Sequence, residues 1–390
     1  MAADRLSAMR VHVRVLLAIA VLLAATLPSQ AALAGTSSRD TDGDGLRDAW
    51  ETHWGVTDPT LSDTNGDGLI DASEDPDGDG LSNLGEQRFG TNPALADSDG
   101  DGVSDSQEDS NGNGIADGLE QDRRPLPANL KPSLRAAPND LPVGYSNGCH
   151  TFQGSAKIHP CVFGDPNGAT TVAIFGDSHA LQWVPGLTRA AKVHHWRLVS
   201  ITKSGCPSVD VRFRSRAFPN DVVPCRQWRQ RAIRWLGAHV PDLIIVANSR
   251  GYTTVDAQGR TIPRDPAWGA GLDRTLSALP SSAHLLVLGD TPHLDIDPPH
   301  CLSLHPNDIS ACETTRGHSL NHKHDAVEST AAAKNGASFV SLNALVCSYD
   351  PCPVLAGNIV MWRNTSHLTA TWVTRLWPSL AALVTGALAP

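Results

Sequence analysis

A serine becomes a nucleophile only when a base takes its proton, so the residues to weigh first are Ser178, within TTVAIFGDSHALQW, and His367, within WRNTSHLT. The apolar run Val172, Ala173, Ile174, Phe175 stops at Gly176-Asp177-Ser178-His179, and a helix-compatible stretch follows. That order predicts strand, tight turn and helix, with Ser178 at the carboxyl end of a strand beside helix N–H groups that favour anions. Asp177 reads as the residue that fixes the turn through backbone hydrogen bonds.

The elements that must hold this pair are legible as alternation. Strand patterns at 196–201, 243–247, 284–289 and 338–342 are separated by helical patterns at 223–240, 267–279 and 325–334, and a final helix is predicted over 369–388. Strands alternating with helices predict an α/β unit whose parallel sheet is covered on both faces. Residues 1–34 carry Arg5, Arg10 and Arg14, then VLLAIAVLLAATL, then Ala32-Leu33-Ala34, the order of a secretory signal peptide, so the mature chain is expected to be secreted or at the cell surface. All eight cysteines follow residue 148, and pairing sequence neighbours gives Cys149–Cys161, Cys206–Cys225, Cys301–Cys312 and Cys347–Cys352.

The GDSHA turn and the RNTSHLT segment, with GDTPHLDIDPPHCL, NALVC and GNIVMWR between them, resemble the SGNH hydrolase superfamily. The relative most resembled is the SGNH domain fused to membrane acyltransferase-3 proteins, which handle O-acyl groups on bacterial cell-wall and surface glycans. The resemblance spans 149–390 and implies a flavodoxin-like three-layer sandwich with a parallel sheet. It implies oxyanion donors at Gly205, in the loop after the second strand, and at the side chain of Asn248, after the third, beside the Ser178 N–H. Where the family motif has aspartate three residues before the histidine, this chain has Asn364, a neutral amide that can orient an imidazole without supplying charge. His179 reads as structural and pointing away from the nucleophile, and His300, His305, His318, His322 and His324 as surface-loop histidines.

The formal charge of −10 is concentrated in one segment: residues 38–124 contain 23 acidic and 5 basic side chains. That segment repeats a 12-residue pattern of oxygen donors at positions 1, 3, 5, 9 and 12 with glycine at 6, the spacing of a calcium loop. The first loop offers Asp40, Asp42, Asp44, Asp48 and Glu51; the second Asp63, Asn65, Asp67, Asp71 and Glu74. The third offers Asp75, Asp77, Asp79, Asn83 and Glu86; the fourth Asp97, Asp99, Asp101, Asp105 and Glu108. A fifth, Asp109, Asn111, Asn113, Asp117 and Glu120, has less charge and is expected to bind most weakly. The segment resembles thrombospondin type 3 or dockerin-like EF-hand repeats, implying structural Ca2+ and an elongated calcium-binding unit over 35–122. A disordered acidic spacer is the alternative, disfavoured by five loops in one register.

Five prolines between residues 123 and 145 predict a semi-rigid linker, leaving 146–390 as the SGNH hydrolase-like domain. Two functions follow as expectations. One is a secreted serine esterase or O-acyltransferase on acylated polysaccharide, needing no cofactor for catalysis; acyl transfer needs a separate membrane acyltransferase as partner. The other is a catalytically impaired glycan-binding or adhesion module. The acidic segment has the wrong sign for nucleic acid.

Overall fold

The structure is a computed structural model describing residues 39–110, 116–120, 124–214, 222–347 and 350–389, with no side chains described at 119 and 120. The expected signal peptide, Asn111, Asn113 and the Glu120 side chain lie outside this set. The chain divides after Asp122 into two compact units.

The second unit is built on a seven-stranded sheet: β1 (His150–Thr151), β2 (Cys161–Gly164), β3 (Thr170–Gly176), β4 (Trp196–Lys203), β5 (Leu243–Ala247), β6 (His284–Leu288) and β7 (Ser338–Val340). The order is β1-β4-β3-β5-β6-β7, all neighbours parallel. One departure from an all-parallel sheet is β2, which pairs antiparallel with β4 along the stretch β1 leaves open. β3 is central and reads as an unbroken apolar run because Val172, Ala173, Ile174 and Phe175 are all buried, alternately in two separate cores.

Helices α1 (Val184–Val193), α2 (Val222–His239), α3 (Arg264–Ser277), α4 (His322–Lys334) and α5 (Trp377–Leu388) cover the faces. The single final helix expected over 369–388 is two, Ala370–Arg375 and α5, because Pro378 fits only the first turn of a new helix. The four expected disulfides form, with Cα–Cα separations of 4.5–5.7 Å. Residues 124–145, expected as a linker, are bonded to this unit: Arg124 pairs with Glu313, Leu126 N donates to Pro306 O, Lys131 N to Asn358 O, and Ala137 is fully buried.

In the first unit each of the first four loops is drawn together by its own carboxylates. At position 1, one oxygen of Asp40, Asp63, Asp75 or Asp97 accepts the N–H three residues on and the other the N–H five residues on. The small core of Leu46, Trp50 and Ala72 is too slight to fold a chain of this length unaided.

Candidate active site

β3 delivers Ser178 as expected. Gly176 ends the strand where a Cβ would stand 1.8 Å from the Ala247 carbonyl oxygen, so no other residue fits. Asp177 then caps the short helix Ser178–Leu181 by accepting from His179 N at 2.8 Å, and its other oxygen accepts from Ser249 N at 2.9 Å and from the Tyr252 hydroxyl at 2.7 Å. The nucleophile turn is thereby tied to the loop after β5, and the expected role of Asp177 is the one it has.

His367 arrives on a loop clamped from two sides. Gln182 accepts from Leu368 N at 3.1 Å, and the loop after β6 holds it through Thr291 Oγ1 to Ser366 O, 2.8 Å, and Leu294 N to Thr365 O, 2.7 Å. His367 Nε2 lies 3.0 Å from Ser178 Oγ. Asn364 Oδ1 accepts from Ser366 N at 3.0 Å and His367 N at 2.9 Å, two donors that fix which end of the amide is oxygen. The same oxygen lies 3.2 Å from His367 Nδ1. An acceptor there places the proton on Nδ1 and leaves the Nε2 lone pair facing the serine, which is the tautomer a general base needs.

Residues 148–381 match the family described as the SGNH domain (fused to AT3 domains). The chain belongs to this family. Among solved structures, it is similar to the periplasmic domain of a lipopolysaccharide acetyltransferase from Salmonella ser. Paratyphi A, with 17% identity, TM-score 0.49, and 65% of this chain and 97% of that one covered. It is also similar to a carbohydrate acetylesterase family member from Sinorhizobium meliloti (13% identity, TM-score 0.35, 56% and 99% covered). A third likeness is a carbohydrate esterase family 2 enzyme of Corynascus thermopiles (15% identity, TM-score 0.36, 57% and 68% covered). No curated protein matches the chain.

Of the oxyanion donors expected in this SGNH domain, Gly205 adopts φ +60° in the turn after β4, a conformation natural to glycine. Cys206 beside it is anchored by its disulfide to Cys225 on α2. Asn248 Oδ1 accepts from Ser208 N at 2.7 Å and Ser208 Oγ at 3.0 Å, which commits the oxygen of the amide and leaves its NH2 as the free donor end.

Two expectations about histidines are corrected. His179 does not point away: its ring lies beside that of His367, centroids 4.3 Å apart, because buried Asp290 draws its Nδ1 to 2.6 Å. His324 is not on a surface loop: it is buried on α4, with Nδ1 2.9 Å from Asp265. Sequence reasoning also missed Asp290 itself, which follows β6 in the GDTPH stretch. Its Oδ1 accepts from His179 and Thr291 N, 2.8 Å, and its Oδ2 from Arg250 N, 2.7 Å, and His293 Nε2, 2.8 Å. His179, Asp290 and His293 are close enough together to hold a metal. Each carboxylate oxygen, however, already accepts one backbone and one ring N–H, which makes a closed hydrogen-bonded network.

Electrostatics follow from burial. Burial alone would push Asp290 up, but His179 and His293 hold it well below the carboxylate range, and Asp290 in turn keeps the buried His179 above the usual imidazole value. His367 is held well below its usual value by burial, then by His179 and Arg363, with Asp290 opposing them. His367 is therefore neutral and able to accept a proton at neutral pH.

The repeat loops also carry unsatisfied oxygens. At position 3 one oxygen of Asp42 and of Asp77 holds a backbone N–H, while the other is buried without a partner. At position 12, Glu51 Oε2 and both oxygens of Glu86 are buried and unpartnered, and burial pushes these two carboxyls up to about 7 and about 8. Buried carboxylate oxygens converging without donors fit a hard cation. The position-9 aspartates behave differently: Asp48, Asp71, Asp105 and Asp117 accept from the backbone N–H and hydroxyl of Thr41, Thr64, Ser98 and Ser110 at position 2. Loop three has Pro76 at position 2, lacking that N–H, and Asn83 at position 9 turns instead to Asp71 O at 2.8 Å.

Proposed function

We propose that the α/β unit is a serine esterase or O-acyltransferase acting on O-acyl groups of cell-wall or surface glycans, carried in an exported chain on a calcium-stabilised repeat segment. The observation carrying this is the 3.0 Å contact between Ser178 Oγ and His367 Nε2 with an acceptor behind Nδ1. Ser178 Oγ attacks the acyl carbonyl carbon while its proton passes to Nε2. His367 then returns that proton to the departing sugar oxygen, leaving an acyl-serine, and water or a second hydroxyl attacks it with His367 again as base. Ser178 N–H, Gly205 N–H and the Asn248 amide are the donors assigned to the oxyanion. Membership of the SGNH domain family fused to AT3 domains supports an acyl-group substrate. The repeats' unpartnered carboxylates support Ca2+.

The test is labelling by a serine-reactive organophosphorus probe with mass spectrometry. Modification at Ser178 is expected, absent in His367→Ala. The neutral Asn364 favours one competitor, an impaired glycan-binding module; an unlabelled Ser178 with glycan binding retained would establish it.

A further inference from the structure

Beside the catalytic pair stands a cation that forms no ion pair among the described residues. Arg363, one residue before Asn364, is buried, and its Nε has no hydrogen-bond partner. Its Nη2 reaches only the Tyr145 hydroxyl at 3.5 Å, and its guanidinium carbon lies 5.7 Å from the Tyr145 ring centre. No carboxylate of the described residues forms an ion pair with it; the nearest anion acting on it, Asp140, accepts instead from Thr371 N at 2.8 Å and reaches it only through space. Burying an unpaired guanidinium beside a base is costly twice over, in desolvation and in the basicity of His367, which Arg363 lowers. Such a charge is retained where a negative group arrives with the ligand.

The arriving charge is not the oxyanion. The donors assigned to that oxygen sit on the Ser178 turn and the loops after β4 and β5, whereas Arg363 sits on the loop of the base, its backbone N–H donating to His367 O at 2.9 Å, with its guanidinium against Tyr145. A charge on the base's own loop, away from those donors, suits a substituent on the same or the next sugar and not the reacting carbonyl oxygen. Tyr145 is also one side of an aromatic corner: its ring centre lies 4.8 Å from that of His150 and 6.4 Å from that of Phe152, which is half-exposed and offers a face on which a sugar ring can stack.

We propose that Arg363 and Tyr145 form a subsite for an anionic group next to the scissile ester, so that the substrate is an acidic glycan, its carboxylate forking onto the guanidinium and its ring against Phe152. This rests on the esterase or acyltransferase reading of the same site.

The experiment compares kcat/KM of the full chain on O-acetylated polygalacturonate, O-acetylated xylan and an O-acetylated phosphomannan. The carboxylate polymer is expected to exceed the neutral one by about 10- to 100-fold, the range of one charge-assisted contact. Arg363→Gln should erase that margin, read as the ratio of kcat/KM on the two polymers, through KM on the acidic one, whereas Arg363→Lys should keep part of it. Preference for the phosphate polymer instead would assign the subsite to phosphate and overturn the carboxylate. Equal rates in the unaltered protein, or equal losses on both substrates in Arg363→Gln, would overturn the subsite. If Arg363→Gln does not fold, competition decides: free galacturonate should inhibit the unaltered protein, and inhibition no stronger than by galactose overturns the subsite. If no ester is turned over, the function reading fails separately. Calorimetric binding of polygalacturonate to Ser178→Ala, lost in Ser178→Ala/Arg363→Gln, then supports the subsite, and its absence refutes it.

Discussion

At the scale of single residues the site is a serine and an imidazole whose third partner lacks charge. Ser178→Ala or His367→Ala should abolish acetyl-ester turnover while the thermal midpoint stays within a few degrees, since both side chains are partly exposed and neither belongs to a core cluster. A chromogenic acetyl ester and a melting curve check both halves. Asn364→Asp should raise kcat, because Oδ1 already has the geometry a carboxylate needs and only the electrostatic part is missing. The sign of the pH effect follows. An anion at 3.2 Å favours the imidazolium, so the folded pKa of His367 rises, and the acid limb of the kcat profile, where the base is lost to protonation, should move to higher pH. A flat or lower rate would show that the pocket cannot accept the charge.

The elements meet at Asp290. Its four donors come from the nucleophile helix, from the loop after β5 and from its own loop after β6, and that last loop in turn clamps His367. Asp290→Asn leaves a buried imidazole without its anion and replaces two acceptor sites by donors. It should cost about 3 kcal/mol of stability in a urea titration, the scale for breaking a buried pair. It should also lower kcat on any ester by about 10-fold or more, since a small displacement of the base is enough. Unchanged stability would show that the network adds nothing to the fold.

At the scale of the molecule, two units rest on different forces. The α/β unit has two extensive cores and four disulfides, whereas the described residues of the repeat unit have four buried hydrophobics, Leu46, Trp50, Ala72 and Leu81, and many carboxylates. A chelator should therefore melt residues 39–120 and leave the α/β unit folded, read by limited proteolysis and circular dichroism. Without metal, Glu51 and Glu86 have folded values of about 7 and about 8, above their unfolded value, so the protonated forms are favoured by folding. Melting by the chelator should therefore be most complete near pH 8 and least complete in mild acid. Equal protease resistance with and without calcium would contradict the assignment.

Much of this was legible from local signals. The β3 turn, the strand and helix alternation, the disulfide pairs and the Ser178–His367 couple rest on patterns within one segment or on spacing along the chain. Strand period, turn chemistry and loop closure are short-range physics. What the fold alone decided is how distant loops share one volume. Residues 124–145 have a linker's composition, yet they pack on the α/β unit through backbone bonds that no residue type announces. His179 faces His367 because Asp290, 111 residues on, draws its ring inward. Arg363 likewise becomes an unpaired buried cation only when Tyr145, 218 positions earlier, closes over it. Burial and partnership set the charge and basicity of these groups, and both are properties of the assembled sheet edge.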